Sequence, residues 1–122
     1  MRIATVLGTR PEIIRLSLLI RKLDSLCDHL LIHTGQNSDP LLGDIFFSEL
    51  GVRKPDVNLS VDSSSPGRQI GDILAGCEKV LAEASPDRLL VLGDTNSALS
   101  VFIARRMGIP VFHMEAGNRC FD

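Results

Sequence analysis

Five residues near the start of the chain, Gly8-Thr9-Arg10-Pro11-Glu12, hold its first concentration of chemistry. Thr9 followed three residues later by Glu12 has the spacing of a capping box, and Pro11 suits a first helical turn. A helix that begins here presents N–H groups and a positive partial charge, a seat for an anion. The Arg10 guanidinium beside it matches the oxygens of a phosphate. Arg15 follows on the same helix, one turn past Glu12. The plainer alternative is a capped helix with solvated arginines. Neither the dinucleotide fingerprint G-x-G-x-x-G nor the P-loop pattern follows this first strand, which disfavours an NAD enzyme and a nucleoside triphosphatase.

Three further segments combine glycine with polar groups. Gly93-Asp94-Thr95 places a carboxylate between an apolar run and a helix, where it either caps the helix or faces a cleft as acid or base. His113-Met114-Glu115-Ala116-Gly117-Asn118-Arg119 carries a second carboxylate. Side chains alternate along a strand, so His113 and Glu115 share one side. His113 and Arg119 are candidate substrate-binding residues; the plainer readings are a buried His bonded to backbone and a Glu115–Arg119 salt bridge. Two carboxylates at neighbouring strand ends can acquire separated pKa values and act as an acid and base pair. Thr34-Gly35-Gln36-Asn37 offers the amides of Gln36 and Asn37 to a sugar or phosphate, or simply forms a turn.

The elements that must position these segments alternate. Short apolar runs at 2–7, 30–34, 88–92 and 109–114 read as strands. Helical periodicity covers 11–26, where Ile13, Leu16, Leu19, Ile20 and Leu23 form one face, and 70–84, where Ile70, Ile73, Leu74, Cys77, Val80, Leu81 and Ala84 do. Further helices are expected at 40–50, ended by Gly51 with Val52 after it, and at 95–107, closed by Gly108. Residues 57–61 alternate as a short strand, and the Ser63-Ser64-Ser65-Pro66-Gly67 run is a loop by composition. Apolar strands separated by helices give an α/β fold, a doubly wound parallel sheet covered on both faces. Ligands bind such sheets beyond the carboxyl ends of the strands, which is where all four polar segments fall.

Composition removes other classes. The 122 residues carry 13 Lys+Arg against 15 Asp+Glu, a formal charge of −2, with 44% hydrophobic residues. The chain is too apolar to be disordered and lacks the basic excess of a nucleic-acid binder. It contains no apolar run of the ~18–20 residues that a membrane span needs and no signal-peptide pattern. Cys27, Cys77 and Cys120 are odd in number and widely spaced, which fits a reducing cytoplasm rather than a disulfide framework or a metal site. Cys27 and Cys77 read as small core residues, and His29 as a surface residue.

In order and spacing, G-T-R-P-E-I-I-R, T-G-Q-N, G-D-T-N-S and H-M-E-A-G-N-R closely resemble the non-hydrolysing UDP-N-acetylglucosamine 2-epimerases. The resemblance extends over the whole chain. It implies a Rossmann-like sheet forming the N-terminal half of a glycosyltransferase-B-type two-domain fold. Residues 1–122 would then be most of that N-terminal domain, with the C-terminal UDP-binding domain outside this chain. The implied reaction is inversion at C2 of a UDP-N-acetylhexosamine, UDP-GlcNAc to UDP-ManNAc, by UDP elimination to a 2-acetamidoglycal and re-addition. No cofactor is implied.

By the same resemblance, Asp94 and Glu115 match catalytic acids and Arg10 a residue near the diphosphate. Arg15 stands where many members have Lys. Gln36 and Asn37 match a region that binds a second, regulatory UDP-sugar in bacterial members, many of which have Gln-His there. The implied assembly is a cytoplasmic homodimer without membrane or nucleic-acid partners. Several stretches, I-F-F-S-E-L-G-V-R-K-P among them, look like the capsule and O-antigen branch, some of whose members convert UDP-2-acetamido-2,6-dideoxy-L-talose to UDP-N-acetyl-L-fucosamine. A non-catalytic nucleotide-sugar-binding domain is the alternative outside enzymology, and the 122 residues alone are expected not to epimerise.

Overall fold

The computed structural model describes residues 1–35, 47–92 and 96–114, and all but the side chains of Arg10, Asn96 and Ser97 within them. The elements in chain order are β1 (Arg2–Leu7), α1 (Arg10–Leu26), β2 (Asp28–His33), β3 (Val57–Asn58), α2 (Pro66–Ala84), β4 (Arg88–Leu92), a 3-10 turn (Asn96–Leu99), α3 (Ser100–Arg106) and β5 (Val111–Met114). The five strands form one sheet in the order β3-β2-β1-β4-β5. Every pairing is parallel, with Ala4 opposite both Leu30 and Leu89, and Leu90 opposite Phe112. The crossovers between these parallel strands carry helices, which cover both faces of the sheet.

Alternation along the strands divides the core accordingly. Ala4, Val6, Ile32, Leu89 and Val91 pack with Ile73, Cys77 and Leu81 of α2 and Ala104 of α3. Leu7, Leu31 and Leu92 pack with Ile13, Leu16 and Ile20 of α1 and with Phe47 and Val52. Ala4, Thr5, Val6 and Leu7 of the central strand are therefore all buried. The doubly wound parallel sheet expected from the sequence is the fold observed.

Local signals set the boundaries. Ser65 caps α2, its hydroxyl accepting the Arg68 N–H at 3.2 Å, and Pro66 fills the first helical position, so α2 begins four residues ahead of Ile70. Residues 47–49 are helical, and the expected glycine end is there: Val52 N–H donates to Phe47 O at 2.9 Å and Gly51 N–H to Ser48 O at 3.0 Å, with Gly51 at φ +71. That pair of bonds is a Schellman motif, and the same pair recurs around Gly108 at the end of α3. The rest of the expected 40–50 helix lies outside the described residues.

Other expectations need correction. The helix expected over 95–107 is a 3-10 turn followed by a short α-helix. Only Val57–Asn58 of the 57–61 run is strand, because Ser60 takes a left-handed φ of +52. Cys27 is the half-buried C-cap of α1 rather than a core residue. Cys77 is fully buried, and burial pushes its thiol pKa up to about 12.

His29 is buried, not a surface residue: it lies two positions before Leu31 on the face that α1 covers. Its Nδ1 donates to the Asp24 carboxylate at 2.8 Å, and its Nε2 meets the Thr5 hydroxyl at 2.7 Å. Arg53 completes the cluster, donating to Asp24 at 3.1 Å and to the His29 carbonyl at 2.8 Å, and pairing with Asp56 at 3.0 Å. Partial burial works to lower the Arg53 pKa, but Asp24 and Asp56 outweigh it and hold the guanidinium above its ordinary value.

Candidate functional site

In an open parallel sheet the carboxyl ends of the strands are the place for a ligand. Here those ends are Leu7-Gly8 after β1, Thr34-Gly35 after β2, Leu92 of β4 and Met114 of β5. At the first, the chain turns at once into α1. Thr9 is the N-cap in an extended conformation, and Glu12 reaches back to it. One carboxylate oxygen of Glu12 accepts from the Gly8 N–H at 3.0 Å, the Thr9 N–H at 2.7 Å and the Thr9 hydroxyl at 2.8 Å. Glu12 is 2% exposed.

This local geometry sharpens the sequence reading of the β1–α1 turn. Two of its N–H groups are committed to Glu12, so they are not donors for a bound anion. Pro11 has no N–H, the Glu12 N–H is taken by the Thr9 side chain in the capping box and the Ile13 N–H by the Thr9 carbonyl at 3.1 Å, so an anion at this turn would depend mainly on side chains. Arg10 is the first residue of α1, with its side chain outside the description. Arg15 is exposed on the same helix.

The end of β2 is held from both sides. Thr34 is fully buried. Its N–H donates to Leu7 O at 2.9 Å, and its carbonyl accepts the Val61 N–H at 3.1 Å. The His33 ring meets the Phe47 ring edge-on, with centroids 5.7 Å apart. Gly35 follows with φ +75. Gln36 and Asn37 lie outside the described residues, as do Asp94, Glu115 and Arg119.

His113 is placed on β5 opposite Val91. It is exposed, not buried, because β5 is the outer strand of the sheet. Its side chain lines a groove of about 340 Å³ with Arg105, Val101 and the Gly108–Val111 segment. Phe112, 56% exposed, and Met114, 39% exposed, alternate with it along the strand. The described residues thus bring Thr9, Glu12, Thr34 and Gly35 to the ends of adjacent central strands, with His113 near the end of the outer strand.

Sequence reasoning missed two features, the first at this edge and the second toward the opposite, amino ends of β1 and β2. One is the reach of Glu12 beyond the expected capping box, to the Gly8 N–H and the Thr9 hydroxyl. The other is the His29–Asp24–Arg53 cluster, signalled only by the two-residue spacing of His29 from Leu31. Among the described residues no group of three His, Cys, Asp or Glu is placed to hold a metal ion, and no helix is long and apolar enough to cross a membrane.

Known proteins share this arrangement. A family model described as UDP-N-acetylglucosamine 2-epimerase matches residues 21–122. A UDP-N-acetylglucosamine 2-epimerase of Methanococcus maripaludis is 47% identical over 122 residues, covering 99% of this chain and 33% of its own length. A UDP-2,3-diacetamido-2,3-dideoxy-D-glucuronate 2-epimerase of Pseudomonas aeruginosa is 36% identical, covering 100% of this chain and 35% of its own. The crystal structure of the Methanocaldococcus jannaschii UDP-GlcNAc 2-epimerase in complex with UDP-GlcNAc and UDP superposes with a TM-score of 0.90 at 43% identity, over 100% of this chain and 34% of that one. The chain spans about a third of the length of the curated relatives it matches. With the parallel sheet, the motif order and a family match over most of its length in agreement, the chain belongs to the UDP-N-acetylglucosamine 2-epimerase family.

Proposed function

We propose that this chain supplies the N-terminal, Rossmann-like part of an enzyme that inverts C2 of a UDP-N-acetylhexosamine, with UDP-GlcNAc and UDP-ManNAc as the interconverted pair. The observation that carries this reading is the family match across residues 21–122, joined to a 0.90 TM-score against a protein crystallised with UDP-GlcNAc and UDP.

The reaction balances without net redox change. A carboxylate takes the proton from C2, the C1–O bond breaks, and its electron pair leaves with the diphosphate to give the 2-acetamidoglycal. Protonation at the opposite face of C2 and re-addition of UDP at C1 complete the inversion. Asp94 and Glu115 are assigned the acid and base work. Arg10, Arg15, His113 and Arg119 bind substrate, the cations stabilising the departing diphosphate. Gln36 and Asn37 are assigned to a second, regulatory UDP-sugar. The complete enzyme is a cytoplasmic homodimer with a separate UDP-binding domain, and the 122 residues alone do not turn over.

The sugar itself has a second candidate. The likeness to a 2-epimerase of a diacetamido-glucuronate supports the same C2 chemistry on a different ring substituent, as the talose-to-fucosamine alternative does. The test is the full-length parent in deuterated buffer with each UDP-sugar in turn, followed by proton NMR. Inversion with one solvent deuteron at C2 is expected for the true substrate. A parent that binds these sugars but exchanges no C2 proton in any of them is a binding protein, not an epimerase.

A further inference from the structure

β2 and β3 pair in parallel, with Ile32 opposite Val57 and His33 opposite Asn58. Their hydrogen bonding outlasts β3. Leu59 N–H donates to His33 O at 2.9 Å and Val61 N–H to Thr34 O at 3.1 Å. Between these two bonds Ser60 turns out of line at φ +52, a strained conformation for a residue with a β-carbon. Asn58 holds it there: its Oδ1 accepts the Ser60 N–H at 2.8 Å, an Asx turn.

The same oxygen faces the exit of β2. A β-carbon built on Gly35 would lie 2.5 Å from Asn58 Oδ1 and 3.0 Å from Ser60 N. Gly35 is itself at φ +75. Two left-handed residues, one after each strand, therefore pack back to back with the Asn58 amide oxygen between them. Only glycine fits on the β2 side of this joint. The joint sits at the carboxyl edge of the sheet, one hydrogen bond from the end of β1 through Thr34 N–H and Leu7 O.

The other end of this segment is anchored independently. Asp56 N–H donates to Leu31 O at 2.8 Å, and the Asp56 carboxylate accepts the Leu31 N–H at 2.8 Å. Arg53 pairs with the same Asp56 oxygen at 3.0 Å. Register is thus fixed at residue 56, and loss of the Asn58 amide releases the joint rather than the strand.

We propose that Asn58 is a positioning residue for nucleotide-sugar binding, acting through Gly35 by fixing the direction in which the chain leaves β2. The inference rests on the reading of the preceding subsection. Without the amide, Ser60 N–H loses its acceptor, Ser60 relaxes to a negative φ, and the wall against Gly35 shifts. Binding weakens while the chemical step is spared.

The test is steady-state kinetics of the full-length parent. Asn58→Ala raises KM for the UDP-sugar at least about 5-fold with kcat within about twofold of wild type. Asn58→Asp keeps KM near wild type, because its carboxylate oxygen accepts the same N–H. Gly35→Ala presses on the joint from the other side and gives the Asn58→Ala signature. A purely structural role would lower the active fraction, and so kcat, at unchanged KM. That pattern, an unchanged KM in both joint variants, or an Asn58→Asp variant as impaired as Asn58→Ala overturns the proposal. A wild-type parent that converts no UDP-sugar refutes the preceding reading instead. The calorimetric Kd for UDP-GlcNAc then replaces KM in the same comparison, and a parent that neither converts nor binds it overturns both.

Discussion

The Glu12 carboxylate oxygen that accepts the Thr9 N–H at 2.7 Å also accepts the Gly8 N–H at 3.0 Å, so a single side chain on α1 closes the turn that ends β1. Glu12→Ala strips acceptors from donors that the fold buries, at about 1–3 kcal/mol. Glu12→Gln retains a carbonyl oxygen at the capping-box position and loses less. Urea unfolding of both variants checks the order. Equal midpoints for Glu12→Ala and wild type would show that water replaces the carboxylate at no cost.

A second prediction concerns the buried His29, which joins Thr5 of β1 to Asp24 of α1. His29→Ala leaves the Thr5 hydroxyl, 0% exposed, without this partner and opens a void beside Leu31. The expected loss is about 2–4 kcal/mol, from unsatisfied burial and cavity together. Thr5→Val, which removes the hydroxyl but keeps the shape, costs about 1 kcal/mol. Chemical denaturation that ranks the two variants the other way would place the stabilisation elsewhere in the cluster.

These two cases mark what the sequence makes legible. Periodicity at Ile13, Leu16 and Ile20 identifies α1 and its inner face, and runs such as Arg88–Leu92 identify the strands, because burial on one or two faces leaves a repeating imprint. The Thr9–Glu12 spacing reveals the cap, and Gly51-Val52 the helix end. His29 is misread because a lone polar residue carries no period; its burial depends in part on Thr5 and Arg53, each 24 residues away in sequence. The Asn58–Gly35 joint is hidden for the same reason, since it forms only when two parallel strands align. The plainer reading of His113 as a buried histidine fails because the strand order puts β5 outermost, and an apolar run does not tell an edge strand from a central one.

Cys77 sits at 0% exposure on the inner face of α2, with its thiol pKa raised to about 12 by burial. The thiolate is the reactive form. Cys77 is therefore expected to resist iodoacetamide at pH 8 in the native parent and to react at once in denaturant, as read by peptide mapping. Native labelling as fast as that of an exposed thiol would mean that α2 opens locally.

At the start of α2 the Ser64 N–H donates to Asp62 at 2.9 Å, and this bond, with the Ser64 hydroxyl, holds the Asp62 carboxyl below its ordinary range. A depressed folded-state pKa stabilises the fold above the unfolded value of about 3.9, and that contribution disappears as pH falls through the folded value. Carboxyl-carbon NMR titration should place Asp62 below an ordinary Asp, and Ser64→Ala should move it part of the way back. Identical titration curves in the two proteins would remove the Ser64 hydroxyl as a cause.

The last prediction addresses the chemistry directly. If Asp94 and Glu115 move the C2 proton, each must lose that capacity when its carboxyl becomes an amide of the same shape. In the full-length parent, Asp94→Asn and Glu115→Gln should each lower turnover by at least ~10²-fold, the low end for acid–base groups. The two reductions need not match, because removal of the C2 proton and its return to the opposite face use different groups. Exchange of the C2 hydrogen with solvent separates them: loss of the base abolishes exchange, whereas loss of the group that reprotonates the other face leaves exchange without inversion. A variant with near-normal turnover removes its residue from the mechanism, and a variant that exchanges and inverts in step with wild type does the same.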